Sequence, residues 1–370
     1  MGYTLRSIAV AAFGPLLLAP SAVAGTPDPS SFLFVASASE PVIAVVDSVS
    51  DTVVMRIPLP GPARQTVVLE RGAKLVVSDG VGRKLSVIET SSGTLDRELA
   101  TSVVPVMLQI DRTGTLLAVG DPSAGSVEII RSLGAATVTI PGLPGLRSIL
   151  FDSSNRLLVA YGHRIAVIDT QAGRVLTELA VEAGKGAITQ LATDPGRSYL
   201  FALQGDQGLV SIFDLKTLAR SARLVLPAPL GSALPSADSQ FMLVPVAGGR
   251  AVSVVSTWTL KESRRLAMAA PVTGIGLGVF QTVSIGMSRT ARSVQAVDLR
   301  DRRSLGILPL PGVPEAGALA ATGLKYYVTL ADSGQLAVLD LLRTSVLSLI
   351  DTSVRGAAMV VPAVGYSDCH

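Results

Sequence analysis

Residues 164–175 read RIAVIDTQAGRV, in which two apolar runs are joined by an acid, a hydroxyl and a glycine. Val and Ile favour extended strands. Asp169 and Thr170 can bond to backbone amides of the turn that follows, and Gly173 can supply the positive φ that such a turn needs. The stretch therefore predicts a β-hairpin.

The same pattern recurs along nearly the whole chain of 370 residues. The position of Asp169, which ends the first apolar run, serves as the anchor of each unit. The anchors are Asp47, Glu89, Arg131, Asp169, Asp214, Ser256, Asp298 and Asp340. Successive anchors lie 42, 42, 38, 45, 42, 42 and 42 residues apart. A fixed period of this length, filled with short strands, is typical of a propeller or a solenoid.

Each period has room for four short strands and no helix, which is the content of one propeller blade. The first unit begins at its second strand, and a further apolar strand, AAMVV from residue 357, follows the last anchor. We therefore predict an all-β, eight-bladed β-propeller of four-stranded antiparallel blades. Pairing of the C-terminal strand with the N-terminal strands would close the ring and remove open sheet edges. Seven blades are the alternative, because the unit at Arg131 lacks the acid.

Three stretches carry a resemblance to a known repeat: YYVTL at 326, IAVIDTQAGRV at 165 and TDPGRSYLFAL at 193. They resemble the YVTN family of β-propeller repeats, and the resemblance spans roughly residues 32–365. It implies a propeller of the kind found in exported surface and periplasmic proteins, many of which have seven blades. It implies little about function, since propellers carry many unrelated activities.

The N-terminus has the features of a secretory signal peptide at residues 1–24. Arg6 supplies the positive charge, residues 8–18 form the apolar core, and Ala22-Val23-Ala24 matches a cleavage site before Gly25. We expect a single propeller domain at 32–365, a short tail at 366–370, and no membrane span after cleavage. The expected location is the periplasm or the extracellular medium.

Composition excludes several classes of function. Hydrophobic residues make up 48% and charged residues 16% of the chain, so a folded protein is expected. The net charge is +3 and the basic residues are spread thinly, which argues against nucleic-acid binding. With one cysteine and two histidines, a zinc site of Cys and His cannot be assembled. No cofactor is predicted, and a monomer is expected.

The candidate binding residues fall in two sets of loops that share one face in a propeller. These are the turns before each anchor strand and the loops that lead into each innermost strand. The candidates are Arg64, Arg83, Arg147, His163, Arg164, Arg250, Arg292 and Arg355. An excess of basic groups there would attract an anionic small molecule or an acidic protein partner. The alternative is a solvated rim of mixed charge.

The expected function is therefore that of an exported, non-catalytic scaffold that binds a protein or ligand, as an accessory to a periplasmic redox system. The redox association follows from the family resemblance. One alternative is a propeller enzyme with a small-molecule or cofactor site in its central channel, either a lactonase-like hydrolase or a dehydrogenase. A third is a structural protein of the cell surface.

Overall fold

The computed structural model describes residues 28–363 apart from 70, 71, 135, 195, 197, 237, 281 and 302. The expected signal peptide and the tail at 366–370 lie outside these residues. Among the described residues, no helix is long and apolar enough to cross a membrane. The helical segments described are single 3₁₀ turns at Pro29–Ser31 and Gly205–Gln207.

The chain forms eight sheets of four antiparallel strands, numbered β1 to β32 in chain order. The strands of blades 1 to 4 are given from the channel outward. Blade 1 contains β32 (Ala357–Pro362), β1 (Phe32–Ser37), β2 (Val42–Asp47) and β3 (Thr52–Pro58). Blade 2 contains β4 (Gln65–Leu69), β5 (Lys74–Ser78), β6 (Lys84–Glu89) and β7 (Thr94–Ala100). Blade 3 contains β8 (Met107–Ile110), β9 (Leu116–Asp121), β10 (Ser126–Arg131) and β11 (Ala136–Ile140). Blade 4 contains β12 (Leu146–Phe151), β13 (Leu157–Tyr161), β14 (Arg164–Asp169) and β15 (Arg174–Ala180).

The remaining four blades repeat this order. Blade 5 contains β16 (Gln190–Thr193), β17 (Tyr199–Gln204), β18 (Leu209–Asp214) and β19 (Arg220–Val225). Blade 6 contains β20 (Leu234–Pro235), β21 (Phe241–Pro245), β22 (Ala251–Ser256) and β23 (Lys261–Ala267). Blade 7 contains β24 (Gly274–Gly278), β25 (Val283–Ser288), β26 (Ser293–Asp298) and β27 (Ser304–Pro309). Blade 8 contains β28 (Pro314–Leu319), β29 (Lys325–Leu330), β30 (Gln335–Asp340) and β31 (Ser345–Asp351).

The ring closes as the sequence predicts, with eight blades. Strand β32 pairs antiparallel with β1, placing Val35 opposite Val360 and Leu33 opposite Pro362. The backbone N–H of Ala363 also donates to the carbonyl of Phe32 at 2.8 Å. One blade is therefore built from both ends of the described chain, and this pairing joins the first part of the ring to the last.

The core lies between neighbouring blades, where apolar side chains of successive sheets interdigitate. At the closing boundary, Tyr327 and Val338 of blade 8 pack with Leu33 and Val46 of blade 1. The two tyrosines Tyr326 and Tyr327 are the largest fully buried side chains, and adjacent positions on β29 send them to opposite faces of the sheet. Packing of this kind lets eight similar units stabilise one another around an axis.

Most anchors hold the turn after the third strand of their blade. Asp169 accepts hydrogen bonds from the backbone N–H groups of Gln171 at 2.8 Å and Ala172 at 3.0 Å, and Gly173 has a φ of 64°. Arg131, which departs from the pattern, instead donates to the carbonyls of Thr170 and Gln171 in the next blade. The unit without the acid is thus a complete blade that uses its anchor position to bind its neighbour.

Candidate functional site at the channel mouth

One face of the disc carries all eight candidate residues. We call it the loop face: it consists of the turns between the second and third strands of each blade and the connectors that lead to the next innermost strand. Each connector is fixed to the turn of its own blade by a backbone hydrogen bond. For example, the N–H of Val181 donates to the carbonyl of His163 at 3.0 Å, and that of Met268 to Arg250 at 3.0 Å. The candidates are therefore presented on a rigid rim.

Four candidates occupy one repeated position, the residue directly before the third strand, at mid-blade. Their carbonyls each accept the connector bond just described. They are Arg83, His163, Arg250 and Arg292, in blades 2, 4, 6 and 7. Arg164 follows His163 as the first residue of β14, and Arg355 lies in the connector before β32.

Arg64 and Arg147 occupy a second repeated position, at the start of the innermost strands of blades 2 and 4, next to the channel. Arg64 precedes Gln65, which pairs with Ser78, and Arg147 precedes Ser148, which pairs with Ala160 at the equivalent level. Arg147 itself forms a bulge in β12. Both arginines are exposed. The structure therefore brings these two candidates to the channel mouth and places the other candidates elsewhere on the rim.

The residues that follow this position hold neighbouring blades together. The side chains of Gln65 and Ser148 accept hydrogen bonds from the backbone N–H of Leu108 and Leu191 in the next blade, the latter at 3.1 Å. In blade 5, Gln190 accepts from the N–H of Ala233 at 2.7 Å and donates to its carbonyl at 3.2 Å. Innermost strands have one edge without a sheet neighbour, and these side chains satisfy part of that edge.

Glu315 occupies the position of Arg64 in blade 8, at the opposite side of the channel from blade 4. Its carboxylate is paired with Arg289 of blade 7 at 3.1 Å. By contrast, the side chains of Arg64 and Arg147 form no ion pair with any residue that the structure describes. At this repeated position beside the channel, the charge of Glu315 is therefore neutralised by an ion pair, whereas the charges of Arg64 and Arg147 are not.

Several rim candidates are already engaged. Arg164 forms an ion pair with Glu178, whose other oxygen accepts from the hydroxyl of Tyr161. Burial, followed by the Glu178 contact, raises the pKa of Tyr161 to about 12. Arg292 lies 3.4 Å from Asp332, so both of these arginines serve local ion pairs.

The remaining rim candidates have weaker connections. Arg83 and Arg250 are exposed and have no ion pair among the described residues. The backbone N–H of Arg355 donates to Glu40 at 3.0 Å. The half-buried ring of His163 has a buried Nδ1 with no hydrogen-bond partner in the described part of the chain.

The channel itself has an apolar cavity of about 340 Å³ between the innermost strands of blades 6, 7, 8 and 1. Its lining includes Ile275, Leu277 and Leu319. A second cavity of about 300 Å³ opens toward the loop face and shares Leu234, Ile275 and Gly317 with the first. The two cavities therefore share part of their walls.

Tyr326 is a site residue that sequence reasoning missed. Its ring passes from β29 to the seam between β24 and β28, where a Cβ at Gly276 or Gly317 would clash with the phenolic oxygen. The residue lines the channel cavity, and burial raises the pKa of its hydroxyl, which stays protonated. The available signal was the glycine run GIGLGV from residue 274 in an innermost strand, opposite the YYVTL stretch.

No group of three or more His, Cys, Asp or Glu side chains is placed to hold a metal ion among residues 28–363 as described. The chemical features of the site are therefore two unpaired guanidinium groups at the mouth and an apolar cavity with one phenol below it.

Solved structures with the same fold include those of three very different proteins. Dihydro-heme d1 dehydrogenase NirN, solved in complex with DHE, is 15% identical, with a TM-score of 0.80 over 96% of this chain and 79% of that one. Kuenenia stuttgartiensis hydrazine synthase is 15% identical, with a TM-score of 0.58 over 75% and 95%. The C-terminal WD40 domain of Sif2 is 12% identical, with a TM-score of 0.62 over 80% and 89%.

At these identities the likeness concerns the fold alone. Neither a protein-family model nor a curated protein sequence matches the chain. The chain is an eight-bladed, WD40-like β-propeller.

Proposed function

We propose that this protein is an exported, non-catalytic β-propeller that binds an anionic group at the channel mouth of its loop face. The anion belongs to an acidic protein partner or a small molecule. The observation that carries the proposal is that Arg64 and Arg147 hold the same inner-ring position, are exposed, and have no ion pair among the described residues. Glu315, which holds the same position in blade 8, is paired with Arg289.

The physical reason is electrostatic. Two like charges two blades apart, at the rim of a channel with apolar walls, produce a positive potential that is focused at the mouth. Guanidinium groups can also bind carboxylate or phosphate through two parallel hydrogen bonds. A rigid ring of sheets keeps both groups in place before the ligand arrives, which lowers the entropic cost of binding.

The sequence supports the remaining parts of the proposal. The signal-peptide pattern at 1–24 and the resemblance to YVTN repeats favour export to the periplasm or medium. The same resemblance, together with a fold shared with the dehydrogenase NirN, favours a role beside an exported redox system.

The test is capture of bound proteins and small molecules from the exported fraction of the native host, followed by mass spectrometry. The double variant Arg64→Ala/Arg147→Ala is expected to lose the captured species, and added salt is expected to weaken its capture by the unmodified protein. Lys216→Ala/Arg300→Ala is the matched control, since it removes two exposed positive charges from the opposite face. Unchanged capture by the Arg64/Arg147 variant would end the proposal.

A channel enzyme is the second candidate, and the cavity beneath the mouth favours it. An absorption spectrum of protein purified from its native host separates the two. A haem or quinone band would favour the enzyme, whereas a colourless protein that retains its Arg64-dependent partner would favour the scaffold.

A further inference from the structure

The face opposite the loop face, which we call the base face, carries a group of large exposed apolar side chains. It consists of the turns between the first and second strands and between the third and fourth strands of each blade. In the consecutive blades 6, 7, 8 and 1, these turns carry Trp258, Phe280, Leu324, Leu342 and Val49. Trp258 is the most exposed of them, at 84%. Exposed apolar residues that cluster on one face mark an interaction surface.

The group is confined to one half of the base face. Val49, Trp258 and Leu342 occupy the same repeat position, two residues after the anchor. In blades 2, 4, 5 and 7 the equivalent residues are polar: Ser91, Gln171, Lys216 and Arg300. The equivalent in blade 3, Leu133, is half-buried against the core. The apolar residues are therefore not spread evenly around the ring.

Hydrogen bonds between blades join the members of this group. The backbone N–H of Phe280 in blade 7 donates at 3.0 Å to the carbonyl of Gly323, which directly precedes Leu324 in blade 8. The ammonium of Lys325, directly after Leu324, donates at 3.2 Å to the carbonyl of the residue before Val49 in blade 1. The turns of blades 7, 8 and 1 therefore form one continuous surface.

The charged side chains of this surface favour an anionic partner. The side chain of Arg343 is 83% exposed, whereas that of Asp340, which lies 3.7 Å away, is 21% exposed. Asp340 also accepts hydrogen bonds from two backbone N–H groups of its own turn. Arg303 is likewise more exposed than neighbouring Asp301. An anionic surface that approached these turns would therefore meet the guanidinium groups before the carboxylates.

We propose that the base face binds the surface of an anionic phospholipid bilayer, with Trp258, Leu342 and Val49 inserted at the level of the headgroups. Single apolar side chains at the tips of turns can enter this layer while the polar turns around them stay hydrated. Tryptophan is enriched at membrane interfaces because its ring is apolar and its N–H can still reach water. Exposed arginines add attraction to anionic headgroups.

The sequence before the first blade supports a bilayer as the partner. The pattern at 1–24 predicts a segment that engages the membrane during export. This segment leads into Asp28, beside the first 3₁₀ turn, where Ser31 donates to the anchor Asp47 at 2.5 Å. The chain therefore enters the disc at the base face, in the same blade as Val49.

This surface is separate from the proposed anion site. Arg64 and Arg147 lie on the loop face, so a bilayer at the base face would leave both guanidinium groups accessible. Either proposal can therefore fail without the other.

The experiment uses the one tryptophan of the chain, whose fluorescence reports the base face alone. Protein purified from the exported fraction of its native host is titrated with vesicles of phosphatidylglycerol and phosphatidylethanolamine, and with vesicles of phosphatidylcholine. We expect the anionic vesicles to shift the emission to shorter wavelength. Lipids brominated near the headgroup should quench it more strongly than lipids brominated at the chain end. Sedimentation with the vesicles gives the partition coefficient.

Two apolar substitutions that retain the tryptophan test the contact. Val49→Ser/Leu342→Ser is expected to lower the partition coefficient on anionic vesicles about tenfold or more. Val81→Ser/Val225→Ser is the matched control, since it removes two exposed apolar side chains at the loop face. It should bind as the unmodified protein does.

Two cation substitutions test the electrostatic part. Arg303→Ala/Arg343→Ala is expected to lower binding to anionic vesicles about tenfold and to change binding to phosphatidylcholine less than about twofold, because only anionic headgroups attract the guanidinium groups. Arg83→Ala/Arg250→Ala removes two exposed arginines of the loop face and should have no effect on either vesicle.

Three results would overturn the proposal. The first is failure of the protein to bind anionic vesicles while its circular dichroism shows the folded ring. The second is undiminished binding by folded Val49→Ser/Leu342→Ser. The third is a shift of the Trp258 emission with protein concentration alone, accompanied by dimers in analytical ultracentrifugation, which would assign this surface to a second copy of the chain.

Discussion

The phenolic oxygen of Tyr327 donates to Oδ1 of Asp51 at 2.6 Å, across the boundary between the last blade and the first. Lys325, two residues earlier on β29, binds the other oxygen of the same carboxylate at 2.7 Å. The contact between these residues supplements the pairing of β1 with β32. Closure of the ring therefore depends on side chains as well as on sheet hydrogen bonds.

The two adjacent tyrosines of β29 should respond differently to loss of the hydroxyl. Tyr327→Phe removes the hydrogen bonds of this hydroxyl to Asp51 and to the carbonyl of Ser48 and is expected to lower the free energy of unfolding by about 1–3 kcal/mol. Tyr326→Phe removes a hydroxyl without a partner among the described residues and is expected to change it by less than about 0.5 kcal/mol. Chemical denaturation of both variants measures the difference. Equal losses would contradict the assignment of Tyr327 to ring closure.

The seam glycine at 276 should resist substitution. Gly276→Ala places a methyl group against the Tyr326 phenol and is expected to destabilise the protein by about 1–3 kcal/mol. The loss should shrink when Tyr326→Phe is added, since the nearest atom is then gone. Gly61→Ala is the control, because a Cβ there meets its nearest neighbour at an ordinary 3.7 Å. Thermal unfolding of the unmodified protein, the two single variants, the double variant and the control tests this, and additive losses in the double variant would refute the clash.

Acid should weaken the turns that buried carboxylates hold. Burial by itself would raise the pKa of Asp47, but hydrogen bonds from the hydroxyls of Ser31 and Ser50 and from nearby backbone N–H groups bring it below the ordinary value of 3.8. Burial and the bonds around Asp121 have the same net effect. Because the folded protein binds these protons less readily than the unfolded chain does, the stabilisation is complete well above pH 3.8. It is lost as the pH falls through and below that value.

Urea midpoints between pH 7 and pH 3 measure this dependence. Asp47→Asn is expected to be less stable at neutral pH and to lose less on acidification than the unmodified protein. Asp301→Asn, at an exposed carboxylate, should retain the original profile. A profile for Asp47→Asn that parallels the unmodified one would show that other groups control acid unfolding.

Introducing an acid at the two anchors that lack one, Arg131 and Ser256, should have opposite effects on the stability of the protein. Arg131→Asp removes the bonds to the Thr170 and Gln171 carbonyls of the next blade, and we expect a loss of about 1–3 kcal/mol. Ser256 holds its turn through contacts of 3.3 Å to the N–H groups of Trp258 and Thr259, so Ser256→Asp should gain about 0.5–1 kcal/mol. Denaturant midpoints measure both effects. An increase in stability for Arg131→Asp would contradict the role of Arg131 in binding the next blade.

The repeat spacing predicted the fold because each blade is specified locally. Asp169, Thr170 and Gly173 form their turn from neighbours in sequence, and the same arrangement recurs at a nearly constant period. The number of blades and the closing strand followed from counting. From sequence alone, the unit that contains Arg131 looked degenerate. Only the assembled ring shows that Arg131 donates hydrogen bonds to the next blade.

Part of the site was also predictable, because equivalent positions recur in every blade. The shared position of Arg64 and Arg147 follows from the repeat. The pairing of Glu315 with Arg289 and of Arg164 with Glu178 depends on side-chain reach between strands, which spacing does not give. The approach of Tyr326 to Gly276 joins residues of different blades, so no single repeat contains the signal for it.

The hydrogen bond between Ala363 and Phe32 places the two ends of the described chain side by side, on the face opposite the arginines. A fusion or surface linkage attached near Phe32 or Ala363 would therefore leave the channel mouth on the far side of the disc, facing away from the point of attachment. A circularly permuted gene, with the old ends joined and new ends cut at a turn of another blade, should therefore still produce a complete ring.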